Sequence, residues 1–134
     1  MHLRQYHAAI GALALAAFVL SGQYMHLRLG HLHDMPDVPR LMYRSSHIYL
    51  LLAGLLNVVL GMYLHVRDVR SGRWMQIAGS AMLMASPALF GWSFWVESQQ
   101  PSIERHLLRL GIYLCFGGVL LHAASVWLAP KRAT

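Results

Sequence analysis

Four apolar blocks, each close to the roughly 20 residues that cross a ~30 Å hydrocarbon core, divide this chain and leave little choice but a membrane-embedded helical bundle. Within lipid a spanning segment must satisfy its own backbone hydrogen bonds, and a helix does so unaided. Composition agrees: 57% of the residues are apolar and 12% charged, where a soluble domain carries about 25% charged residues. The 134 residues read as a single all-α domain, an integral membrane antiparallel four-helix bundle over 1–134, with helices at about 6–25, 47–64, 75–96 and 106–128. The first apolar run, Ala8 to Leu20, passes into Gln23-Tyr24-Met25-His26 without a small-x-small cleavage pattern, so it reads as a retained helix and not as a signal peptide.

The connections number roughly 21, 10 and 9 residues. The first carries Asp34-Met35-Pro36-Asp37-Val38-Pro39, whose prolines are expected to keep it an ordered loop outside the membrane. Tyr6, Tyr63, Trp74 and Trp127 mark one interface, and Tyr24, Tyr43, Trp92 and Trp95 the other. The formal charge of +6 comes from arginines and a lysine placed between apolar blocks. They read as interfacial anchors, so the expected partner is the lipid bilayer and no nucleic acid. Arg4, Arg67, Arg70, Arg73, Lys131 and Arg132 fall on the side of the termini, and Arg28, Arg40, Arg44, Arg105 and Arg109 on the other. Asp34, Asp37, Glu97 and Glu104 offset the second set, while Asp68 sits with the first. The positive side faces the cytoplasm, which places both termini there, in a bacterial inner membrane.

Small residues recur at helical spacing, Gly54 and Gly61 on the second helix and Gly111, Gly117, Gly118 and Ala124 on the fourth. They permit close helix approach. Pro87, after Ser86, is expected to bend the third helix, and Asn57 to turn inward and bond a neighbouring helix, with contact to a quinone or a haem edge as its other use. Cys115, the single cysteine, forms no intrachain disulfide and reads as a packed thiol. No acid lies deep in a helix, which argues against a carboxylate proton relay. The chain also has no Ser-His-Asp order, Cys-x-x-Cys or phosphate loop, so hydrolase and thiol-redox readings fall away.

Nine histidines against five acids is the compositional feature that asks for chemistry, because an imidazole in lipid needs a partner or a metal. His47 and His106 open the second and fourth helices and are expected at one level of the membrane. At about 100° per residue His47 shares a stripe with Gly54, Val58 and Gly61, and His106 with Leu110, Tyr113, Gly117 and Ala124. An imidazole above small residues suits a flat macrocycle, and Arg44, Arg105 and Arg109 stand where propionates would lie. On Tyr43-Arg44-Ser45-Ser46-His47 and Glu104-Arg105-His106-Leu107 the chain resembles the four-helix, haem-binding half of the haem A synthase family. Ser46 precedes and Ile48 follows His47 where that family has a glutamate and an arginine, so the resemblance implies the ligand roles of His47 and His106 and no more.

The expectation is a membrane b-type cytochrome with one haem b between His47 and His106, for electron transfer, with quinone as a candidate partner, or for haem handling. Enzymatic activity, if present, would be that of a haem-dependent oxidoreductase. His7 and His122 offer a second position, since the first and fourth helices of such bundles are often neighbours. Two other readings stand beside it. One is a non-catalytic accessory or assembly subunit of a larger, for example respiratory, membrane complex. The other is copper or zinc handling by His26, His31, His33 and Met35 in the first connection.

Overall fold

The structure, a computed structural model, describes residues 2–66 and 70–127 and is helical with no strand among them. Its helices are α1 (His2–Leu27), α2 (Asp37–Tyr63), α3 (Arg70–Val96) and α4 (His106–Trp127), with one 3-10 turn at Gly30–Leu32. All four are long and apolar enough to cross a membrane, which makes this an integral membrane four-helix bundle. Arg67, Asp68, Lys131 and Arg132 of the charge argument, and the expected end of the fourth helix at Leu128, lie outside the described residues.

The prolines of the first connection do not keep it a loop. Pro36 caps α2 in an extended conformation (φ −55°, ψ 152°), and Pro39 falls in the first turn, where an absent N–H leaves no carbonyl unpaired. So α2 begins at Asp37 and His47 lies inside it rather than opening it.

The helices associate as two pairs, α1 with α2 and α3 with α4, joined chiefly through α2 and α3, while α1 and α4 scarcely touch. Glycines seam each pair. A Cβ on Gly61 would stand 2.7 Å from the Ala8 nitrogen, one on Gly11 2.7 Å from the Val58 nitrogen, and one on Gly118 2.7 Å from the Gly79 oxygen. Because lipid is as apolar as a leucine side chain, such backbone approach is what holds transmembrane helices together. Leu50, Ala53, Leu83, Phe90, Leu108 and Cys115 form the central core, and Leu13, Leu20, Leu55, Val59, Phe116 and Leu120 face outward, toward lipid.

A second buried cluster of Leu32, Tyr43 and Phe94, flanked by Tyr24, Met25, Leu29 and Met35, closes the end of the bundle away from the termini. Tyr43 therefore packs inside, against Phe94 at 5.0 Å between ring centres, and is not an interfacial anchor. Tyr6, Tyr63, Trp74, Trp92, Trp95 and Trp127 are exposed as belt residues should be.

Candidate functional site

Three polar assemblies lie within the bundle. The deepest begins at Pro87, which has no N–H to give the carbonyl four residues back, that of Leu83. Asn57 of α2 takes that carbonyl with Nδ2 at 3.0 Å and also donates to Ala53 O at 2.9 Å; Ser86 Oγ donates to Leu83 O as well, at 3.0 Å. With both amide donations spent on carbonyls, the Asn57 side chain presents Oδ1 as an acceptor to His7 Nδ1, 2.7 Å away. An acceptor there requires the proton on Nδ1. Nε2 of His7 is left with its lone pair, buried and without a hydrogen-bond partner in a side chain 0% exposed.

Beside it is His122 of α4, 6.4 Å between ring centres and tilted 69°, with its own Nε2 3.2 Å from Ser80 Oγ. An acceptor fixing the Nδ1–H while Nε2 stays free, as at His7, is how proteins orient an imidazole that ligates a metal. Two imidazoles bound across one metal at about 2.0–2.1 Å have ring centres near 6 Å apart, so the spacing is of the right order. This assembly is on the side of the termini, with His7 directly after Tyr6 and Asn57, Ser80 and His122 one to two turns inside Tyr63, Trp74 and Trp127. Arg4 lies there too, its guanidinium bonded to Gly61 O at 3.2 Å and to Met62 O.

His47 and His106 have different surroundings. Arg105, next to His106, reaches Met42, Ser45 and Ser46, so the two histidines are nearly level. They do not turn toward one another. His47 faces α1, with Nδ1 2.8 Å from Ser21 Oγ and its ring stacked 4.1 Å from that of Phe18. His106 faces outward, its side chain 71% exposed, in an open depression of about 560 Å³ shared with Ile103, Arg109, Ile112 and Tyr113. The glycines below them are filled by neighbours, Gly54 by Leu15, Gly61 by Ala8 and Gly117 by Met82, so those stripes serve helix packing and leave no slot for a macrocycle.

Arg44 is exposed and Arg109 bonds His106 Nδ1 at 3.0 Å. Arg105 turns inward, donating through Nη2 to Ser46 Oγ at 2.6 Å and Met42 O at 3.0 Å, and to Ser45 Oγ. It belongs to the third assembly, whose other pole is Glu97, 4% exposed. Glu97 receives Ser93 Oγ at 2.6 Å and the backbone N–H groups of Leu107 and Leu108 at 2.6 and 3.1 Å, capping α4 from the end of α3. Burial alone would raise the Glu97 carboxyl; the bonds from Ser93, Leu107 and Leu108 and the charge of Arg105 outweigh it and hold it below the usual carboxylate range.

In the sequence Glu97 stands only as an acid offsetting the arginines of its face; the signal for its capping role is an acid at the end of one helix followed by a helix start, Arg105-His106, that brings no capping side chain of its own. His26, in the last turn of α1, and His31, in the turn that follows, come together, Nδ1 to Nδ1 at 3.3 Å. Among the described residues no three His, Cys, Asp or Glu side chains converge as a metal site.

No protein-family model, no curated protein and no solved structure matches this chain.

Proposed function

We propose that the protein is a small membrane b-type cytochrome whose iron is held by His7, with His122 as the facing imidazole, rather than by His47 and His106. The observation that carries this reading is the unpartnered Nε2 of His7, buried in lipid-embedded protein with its tautomer fixed by Asn57. Leaving such a group unpaired costs about 1–3 kcal/mol, which a ligand bond would remove. The sparse packing of α1 against α4 supports the reading, since the histidines sit where the two helix pairs can part without breaking a glycine seam. Arg4, Arg70 and Arg73 stand on the same side of the bundle and suit propionates. The haem would supply a one-electron centre; the chain's own residues bind and orient it and keep water away. The role is electron transfer, with quinone as a partner, or haem handling, with both termini in the cytoplasm of a bacterial inner membrane.

Protein purified in detergent from haem-replete cells should be coloured, with a six-coordinate b-type spectrum. That spectrum should be lost in both His7→Ala and His122→Ala and kept in His47→Ala and His106→Ala. Colourless protein overturns the reading, and colour lost only in the last two restores the α2–α4 pair.

The filled glycine seams favour a second reading, a non-catalytic accessory subunit that closes its bundle without a prosthetic group. A colourless protein co-purifying with a stoichiometric membrane partner would support it.

A further inference from the structure

His7 and His122 are held in unlike ways. His7 is locked from α2: its Nδ1 proton goes to Asn57 Oδ1 at 2.7 Å, and Asn57 is itself anchored by two carbonyls. The side chain is fully buried, and its Nε2 lone pair meets no protein donor. His122 is only partly buried, and its Nε2 is already taken, 3.2 Å from the hydroxyl of Ser80 on α3. Ser80 is fully buried, and this is its one side-chain hydrogen bond among the described residues. The ring of His122 also lies against the backbone of α3, since a Cβ on Gly79 would stand 3.0 Å from its Cδ2.

The two imidazoles belong, besides, to different halves of the bundle. His7 is carried by the α1–α2 pair and His122 by the α3–α4 pair, while α1 and α4 scarcely touch, so no glycine seam fixes the distance between them. A ligand bond at His7 Nε2 satisfies an orphaned atom and breaks nothing. A ligand bond at His122 Nε2 displaces Ser80 and leaves a buried hydroxyl without its partner, which is unfavourable in a medium that offers no water to replace it.

We infer that His7 is the permanent ligand of the proposed haem and His122 an exchangeable one, which returns to Ser80 when a small neutral diatomic molecule of the carbon monoxide class takes its place. This rests on the haem reading above and adds to it the class of external ligand that the site takes. The exchange needs no redox chemistry: the bond to His122 Nε2 breaks, a bond to the diatomic forms, and the freed lone pair accepts the Ser80 hydroxyl proton. Neutrality follows from the surroundings, because the polarity of the pocket decides which molecule is admitted. Among the described residues neither imidazole is bonded to a charged side chain, and Arg4, one turn from His7, is held by Gly61 O and Met62 O. An anion would therefore enter lipid-embedded protein unpaired.

The test uses the full chain in detergent, purified from haem-replete cells and reduced with dithionite. Carbon monoxide should shift the ferrous spectrum, at a rate that levels off as its concentration rises, because His122 must first let go. Ser80→Ala removes the resting partner of His122 and should weaken carbon monoxide binding by about threefold to tenfold, the worth of one net hydrogen bond. Ser80→Thr keeps the hydroxyl and should match the parent. His122→Ala should retain haem with a five-coordinate spectrum and bind carbon monoxide without the levelling off, whereas His7→Ala should be purified without haem. Azide, an anion, should leave the ferric spectrum of the parent unchanged. Far-UV circular dichroism shows whether each variant keeps its helices. A coloured parent that ignores carbon monoxide, equal loss of haem in the two histidine variants, or Ser80→Ala binding as the parent does would overturn the inference and leave the cytochrome standing; a colourless parent overturns both.

Discussion

Asn57 occupies the carbonyl that Pro87 leaves free. The Leu83 oxygen, deprived of a helical donor by the proline four residues on, accepts the Asn57 amide at 3.0 Å and so turns a break in α3 into a bond between α2 and α3. That bond orients Oδ1 toward His7, and the tautomer of an imidazole on α1 is thereby set by a proline on α3. Nitrogen-15 spectra of histidine-labelled protein without haem should show His7 protonated at Nδ1 alone. In Asn57→Leu both tautomers should appear, with stability lower by about 1–3 kcal/mol for the buried groups left unpaired.

Pro87→Ala tests the same relationship from the other end. Alanine restores an N–H that competes for Leu83 O, so helix stability should hold or rise while the Asn57 amide loosens. A thermal melt at or above that of the parent, with a second His7 tautomer in the nitrogen spectra, is the expected pair of results. A clear loss of melting temperature would show that the proline shapes packing and not hydrogen bonding.

The glycine contacts separate into those that meet backbone and those that meet a mobile side chain. A Cβ at Gly118 would press on Gly79 O at 2.7 Å, whereas one at Gly117 would meet only the methyl end of Met82, at 2.6 Å. Gly118→Ala should cost about 1–3 kcal/mol in detergent unfolding and Gly117→Ala within about 0.5 kcal/mol. Equal effects at the two positions would contradict the α3–α4 seam.

Glu97 confers a pH dependence whose sign follows from its depressed ionisation. The unfolded carboxyl binds protons more readily than the folded one, so the stabilisation is complete above the ordinary carboxylate range and lost as the pH falls through the lower, folded value. Melting temperature should therefore decline on acidification in the parent protein and hold nearly level in Glu97→Gln. Ser93→Ala, which removes one of the bonds holding the carboxylate, should move the decline to higher pH.

The four spans were legible because lipid demands long apolar helices and leaves the sequence few ways to disguise them. Asn57 was legible as an inward amide for the same reason. What the sequence hid was rotation and reach. A residue's angle on its own helix does not say which neighbour that face meets, so His47 and His106 shared a level without sharing a site, and His7 found Asn57. Arg105, a basic residue at a membrane edge, read as an outward anchor. Its guanidinium extends far enough to gather Ser45, Ser46 and Met42 O, groups some sixty positions away in sequence. Pro39 misled by type alone, since a proline forbids the middle of a helix and welcomes its first turn.

The pairing of α1 with α2 and α3 with α4 bears on how the protein is made. Each pair is a hairpin of consecutive segments, so the first, α1 with α2, can enter the membrane and zip along its own glycines before the second has left the ribosome. The last surface to close is then the one between the halves, chiefly where α2 meets α3. A prosthetic group too broad to slip between finished helices could be laid against His7 while the second hairpin is still arriving, which would make loading an event of biogenesis rather than of later exchange.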